Sequence, residues 1–390
     1  MMKQLYYITT FLLIFCSCQN KNRSNESLFQ AENISTEGLQ TITVEVEDYD
    51  FEYLGKYLKA ASYVQLAAEP LIGAIKEVQI KNEKIYVLDA FSRIVCYDMQ
   101  GNVIFKIDAV GAGPGEYVRI SAFAINEQSR ELVIYDNPKT TLLYYNSDNG
   151  KHIKTEKFPK PNPGAMASSD GVYYYDNQFH SNYPNDSTLH YSLLLSKNGT
   201  DIVQRYFAHN QAEAEYHFSA TPQPFSYNDS VLYYCRNFDN IVYKLSPNGL
   251  KAVYEIKIPN PLPFSKIEEK ANEMGLMKSA YSLGIECIYK CENLLYFQFY
   301  KGGYLQVVLY DLSRKKQIYC GKRLADKAGR EVPFYRLING VYKNRFWGYI
   351  TPETIEWALA NEPDKDYPEI FRSYNPDSGN PIIAFYEVVK

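Results

Sequence analysis

Asp98-Met99-Gln100-Gly101, Ser147-Asp148-Asn149-Gly150, Leu195-Ser196-Lys197-Asn198-Gly199 and Leu245-Ser246-Pro247-Asn248-Gly249 are one turn written four times. Their glycines lie 49, 49 and 50 residues apart, and each turn is flanked by aromatic and β-branched runs. A period of this length marks a repeated supersecondary unit, and Asp, Asn and Gly between such runs mark tight turns between strands. The unit is a small antiparallel sheet. A Tyr-rich apolar run precedes each turn, at 85–89, 132–136, 172–176 and 231–235, and two more such runs follow at 294–300 and 345–350. Six runs imply six units. Repeated four-stranded sheets arranged around an axis form a β-propeller. A two-sheet sandwich is the other all-β arrangement, but it gives no reason for one turn to recur at a fixed interval.

The expected fold is therefore all-β: a six-bladed β-propeller of four-stranded antiparallel blades. About 50 residues for each of six blades uses most of the chain. The last blade has only two strands near its run at 345–350. Its third strand is expected from 382–389 and its fourth from 62–66, so that the two chain ends close the ring and leave no free sheet edge. Two short helical insertions are expected on one face of the propeller. Ser265 with Glu268 reads as a capping box, and Thr351-Pro352 as the start of a second helix.

Composition suits this fold. The chain has 37 Tyr and 20 Phe against two Trp, and aromatic residues pack well across pleated, half-buried strands. Net charge is only −4. With no polybasic groove or long acidic run, nucleic acid is not an expected partner.

The N-terminus resembles a bacterial lipoprotein signal. Lys3 is followed by an apolar core over 5–15 and then Ser17-Cys18. That resemblance implies cleavage before Cys18 and lipidation of its thiol. The protein is then expected in the cell envelope, lipid-anchored, and on the outer membrane. The domain plan is a signal peptide over 1–17, a flexible tether over 18–40 rich in Asn, Ser and Glu, and the propeller over 41–390. The cysteines remaining after processing are Cys96, Cys235, Cys287, Cys291 and Cys320. An odd number scattered over strands does not make a disulfide framework, so buried small apolar residues are expected.

In a four-stranded meander, the turns after the first and third strands lie on one face. The turns after the second strands and the blade-to-blade connections lie on the other. The first face has only short turns, whereas the second collects the long segments 110–119, 178–189, 209–224, 259–283, 324–333 and 351–381. Function concentrates on long loops carried by a rigid scaffold, so the site is expected there. Candidate ligand-binding residues are Glu116, Tyr117, Arg119, His180, Tyr183, Tyr216, His217 and Arg236, with Phe179 and Phe218 as further stacking surfaces.

Gly111-Ala112-Gly113-Pro114-Gly115-Glu116-Tyr117 is the most specific local motif. It lacks the helix start or Lys of a phosphate cradle, which leaves a tight crossover with Glu116 capping neighbouring amides. Together with 85–89 and the turn at 98–101, it resembles a family of six-bladed propeller lipoproteins of Gram-negative bacteria, related to NHL-repeat propellers. Most members of that family have no assigned activity. The resemblance runs from about 62 to 389.

Two functional readings follow. In the first, the protein is not an enzyme but a binding or scaffold propeller, with a protein, peptide or glycan on the long-loop face. In the second it is a metal-dependent hydrolase or lyase resembling the propeller lactonases. Asp89, Asp136 and Asp176 recur at one place in three blades and are weak metal candidates, and His180, His190, His209 and His217 fall near the same face. Asp at that position also starts turns by bonding its own backbone. No cofactor is expected under the first reading; the second requires a divalent cation.

Overall fold

The computed structural model describes residues 32–47, 54–158, 162–177, 191–208, 223–263, 280–322, 338–377 and 379–389. Strands β1 (Gln40–Thr43) and β2 (Leu58–Gln65) precede the repeats. The first antiparallel sheet is β3 (Ile75–Lys81), β4 (Lys84–Asp89), β5 (Ile94–Asp98) and β6 (Val103–Ile107), hydrogen-bonded in chain order. Next come β7 (Ile120–Asn126), β8 (Glu131–Asp136), β9 (Thr141–Asn146) and β10 (His152–Lys157). The third sheet is β11 (Ala165–Ser169), β12 (Val172–Asp176), β13 (Tyr191–Ser196) and β14 (Ile202–Ala208).

The next strands are β15 (Phe225–Asn228), β16 (Val231–Cys235), β17 (Ile241–Ser246) and β18 (Gly249–Lys257). After them, β19 (Ser282–Cys291), β20 (Leu294–Lys301), β21 (Tyr304–Asp311) and β22 (Lys316–Gly321) form a separate four-stranded sheet. The chain finishes with β23 (Gly340–Tyr342), β24 (Arg345–Ile350) and β25 (Ile382–Val388).

This corrects the blade count. The protein is an all-β propeller with four-stranded blades, but four such blades stand separately rather than six. The other strands form one nine-stranded sheet, ordered β1-β18-β17-β16-β15-β23-β24-β25-β2. Its two arms are joined by parallel pairing of Asn228 with Val341. The sequence period specifies hairpin partners within a unit. It carries no information on whether the first strands of two units also pair with each other near the axis.

Chain closure agrees with expectation: β2 pairs antiparallel with β25, from Leu58 with Val388 to Gln65 with Ile382. One strand went unread, since β1 adds in parallel to the edge of β18, Gln40 opposite Tyr254. Helices are few. The first, α1 (Pro352–Asn361), begins where Thr351-Pro352 placed it, and Ile355 and Ala358 are its buried positions. A shorter α2 (Glu369–Arg372) buries Phe371. The helix expected near Ser265 lies outside the described residues.

The opening turns need glycine. Gly101, Gly150, Gly199 and Gly249 all have positive φ, which an L-residue enters at a cost of about 1–2 kcal/mol. At Gly101 a Cβ would also stand 2.0 Å from the Gln65 carbonyl oxygen at the end of β2. Apolar clusters fill the space between neighbouring sheets. One joins Tyr86, Ile94 and Cys96 to Phe123, Ile134 and Leu143; another joins Tyr174 and Leu193 to Tyr234 and Tyr243. All five described cysteines are buried and free, and burial pushes the Cys320 and Cys291 thiols up to about 12.

Candidate functional site

The first strands β3, β7, β11, β15 and β23 contribute to the wall of an axial cavity of about 120 Å³. Strand β3 gives it its polarity. The stretch Glu77-Val78-Gln79-Ile80-Lys81 alternates, and successive residues of a strand face opposite sides. Val78 and Ile80 join the apolar cluster shared with Trp347 and Phe385. Glu77, Gln79 and Lys81 form the opposite, polar row.

Gln79 Nε2 donates to Glu77 Oε1 at 2.7 Å and to the Phe123 carbonyl at 3.2 Å. Burial pushes the Glu77 carboxyl up to about 7, against the pull of the Gln79 hydrogen bond. Gln79 is 3% exposed. Its Oε1 and the Ser121 Oγ have no hydrogen-bond partner among the described residues. Farther along β3, the buried Lys81 ammonium meets Glu127 at 3.3 Å and lies 4.2 Å from the Tyr227 ring centroid. Burial lowers the pKa of Lys81, while Glu127 acts to raise it.

At the end where β3, β7 and β11 begin, a second cavity of about 330 Å³ is lined by Lys76, Arg119, Ile120, Ser121, Asn137, Asn162, Pro163 and Gly164. It shares Lys76, Ser121 and Gly164 with the axial cavity. This is the long-connection face. Lys76 and Arg119 are both exposed there, and neither is in an ion pair among the described residues. Segments of the same face present Leu71, Phe91, Val110 and Val118, each at least 48% exposed.

The structure separates the sequence candidates. Arg119 lines the outer cavity. Tyr117, in contrast, is fully buried, and its hydroxyl donates to the Ser92 carbonyl at 2.8 Å, so its ring is core and offers no stacking surface. Glu116 is committed to its own loop, accepting from the Gly113 amide at 2.7 Å. Lys139 completes that crossover, its Nζ donating to the carbonyls of Gly111 and Glu116. Arg236 is half-buried, its guanidinium 5.0 Å from the Phe207 ring centroid. Cys18, His180, Tyr183, Tyr216 and His217, with Phe179, Phe218, His190 and His209, lie outside the described residues.

The recurring aspartates are spent on protein donors. Asp89 accepts from the Phe91 and Arg93 amides and pairs with the Arg93 guanidinium at 2.6 Å. Asp136 accepts from the Val118 and Arg119 amides, and Asp176 from the Tyr234 hydroxyl. Each thus organises a turn or a sheet contact. Among the described residues no three His, Cys, Asp or Glu side chains come together as metal ligands would. Asp136 also links structure to site, because its two bonds fix the backbone that carries Arg119.

Sequence reasoning missed Lys76, Glu77, Gln79 and Ser121. For Glu77 and Gln79 the signal was the polar alternation over 77–81 of β3, whereas Lys76 and Ser121 carried none.

Likeness to solved structures agrees with the fold. The chain is similar to a protein of Bacteroides fragilis named as exported, at 15% identity and a TM-score of 0.70, covering 90% of this chain and all of that one. It is also similar to a DUF4221 family member from Bacteroides vulgatus, at 12% identity and a TM-score of 0.50, covering 86% of this chain and 99% of the other. No curated protein matches it. The DUF4934 model, a domain of unknown function, matches residues 41–387, nearly the whole propeller, and the chain belongs to that family.

Proposed function

We propose that this protein is an envelope-tethered binding propeller that holds an anionic ligand, a protein, peptide or glycan segment, at the long-connection end of its axis. One observation carries the reading: Lys76 and Arg119 line one cavity of about 330 Å³ at that end, exposed and without ion-pair partners among the described residues. Paired cations on a concave surface attract carboxylate, sulfate or phosphate groups, and Arg grips such groups with two parallel hydrogen bonds. The exposed Leu71, Phe91, Val110 and Val118 add apolar contact on the same face. The test is titration calorimetry with two acidic probes, a heparin octasaccharide and a hexaglutamate peptide. Replacing both Lys76 and Arg119 by Ala is expected to weaken the bound probe at least tenfold.

Tethering rests on the sequence pattern before Cys18. Cys18→Ser is expected to abolish metabolic labelling by palmitate and to release the protein from the membrane fraction. Continued labelling would refute the anchor.

A further inference from the structure

Four exposed apolar side chains on the long-connection face are carried by segments that the protein ties together. The Arg93 guanidinium donates to the Leu71 carbonyl at 2.8 Å and stands 4.9 Å from the Phe91 ring centroid. The carbonyl of Ser92, next in the chain, accepts from the Tyr117 hydroxyl at 2.8 Å. Tyr117 in turn bridges to Val110 and precedes Val118. Leu71, Phe91, Val110 and Val118 therefore stand on one braced platform, each of them well exposed. Val118 is followed directly by Arg119, and the Asp136 carboxylate accepts from both of their amides, at 2.9 and 3.3 Å. Platform and cationic cavity thus share one fixed stretch of backbone.

Exposed apolar residues grouped next to a charged cavity mark an interaction surface. Its chemistry separates the ligands that could bring negative charge to it. A glycan presents hydroxyl groups, and burying these against aliphatic side chains without partners costs free energy. A bilayer surface does not enter a concave cavity such as the one Lys76 and Arg119 line. A peptide brings both a carboxylate and apolar side chains, and its backbone groups match the amide of Asn137 in the same cavity. Resting on the anion-binding reading above, we infer that the ligand is an extended peptide segment in which an acidic residue is flanked by large apolar ones. The acid enters the cavity of about 330 Å³ lined by Lys76 and Arg119, and the apolar side chains cover Leu71, Phe91, Val110 and Val118.

The experiment is calorimetric titration of the full-length Cys18→Ser chain, which carries no acyl group at that position, with the peptide acetyl-Leu-Phe-Glu-Glu-Phe-Leu-amide. The comparison probes are the same peptide with Gln-Gln at its centre, hexaglutamate, the heparin octasaccharide, and vesicles of equal parts phosphatidylglycerol and phosphatidylcholine. Saturable one-to-one binding of the acidic apolar peptide is expected, about tenfold or more tighter than any comparison probe. Leu71→Ser/Val118→Ser should weaken that peptide about tenfold and leave hexaglutamate unchanged, whereas Lys76→Ala/Arg119→Ala should weaken both. Each variant is checked for an unchanged melting profile, and Phe91→Ser carries the platform test should the double variant not fold. Hexaglutamate or heparin bound as tightly as the peptide, or peptide affinity unchanged in a folded platform variant, would overturn this inference and leave the anion site standing. Binding of no probe would remove both. Equal binding of the Gln-Gln peptide would overturn the role of the acid, and vesicle binding lost in the platform variant without peptide binding would make the platform a membrane contact instead.

Discussion

At the scale of single residues, the described candidates differ in what their side chains do. Arg119, at the end of the long segment 110–119, lines the outer cavity, whereas Lys76, Glu77 and Gln79 sit in an ordinary-looking strand whose place beside the axis only the fold reveals. Tyr117 misled for a physical reason: an aromatic residue in a loop can be either an exposed platform or an anchor, and here its hydroxyl ties the loop to Ser92. Two substitutions test the residue account. Gly101→Ala must hold positive φ and also move the Gln65 carbonyl, so it is expected to cost about 2 kcal/mol or more in chemical denaturation. Gly38→Ala, with positive φ but nothing within 4 Å of the added carbon, should cost about 1 kcal/mol; equal losses would remove the role given to the close approach. Glu77 makes a prediction about pH. Its folded carboxyl titrates at about 7 instead of an ordinary 4.5, so the folded state holds the proton more tightly and stability falls as pH rises through that interval. Glu77→Gln should match the parent in melting temperature at pH 4 and exceed it at pH 8. A constant difference across that range would contradict the burial of the charge.

At the scale of elements, hairpins were readable and their assembly was not. Each glycine turn fixes a β-hairpin through local chemistry, as when Asp98 Oδ1 accepts from the Gln100 and Asn102 amides. Closure by the chain ends was also legible, because a last unit short of strands needs them. The nine-stranded sheet was not, since the pairing of Asn228 with Val341 and the addition of β1 to β18 depend on which backbone edges meet in space. Strand β25 lies between β24 and β2 in that sheet, so removing it bares two edges and the cluster that holds Ile382, Ala384 and Tyr386. A chain ending at Pro381 is expected to be insoluble or to lose its cooperative thermal transition. Its recovery as a soluble, cooperatively melting protein would show that the last strand is dispensable.

Over the whole molecule, a ring of sheets cemented by Tyr-rich clusters carries a cavity lined by Lys76 and Arg119 next to a smaller axial cavity. The repeat made the propeller legible, and the family match spans residues 41–387. The proposed anion site was not legible, because Lys76 and Arg119 come to one cavity from different parts of the chain. With a net charge of −4, the protein as a whole does not attract anions; any such affinity must be local to that cavity and weaken with salt. The most direct test is the affinity of the full chain for the heparin octasaccharide and hexaglutamate, compared with the Lys76→Ala/Arg119→Ala protein and with Lys343→Ala, whose exposed ammonium pairs with Glu83 at the opposite end of the first strands. The account predicts saturable binding of at least one probe, at least tenfold weaker in the double variant and unchanged in Lys343→Ala. Binding of neither probe, or equal binding by all three proteins, would contradict it.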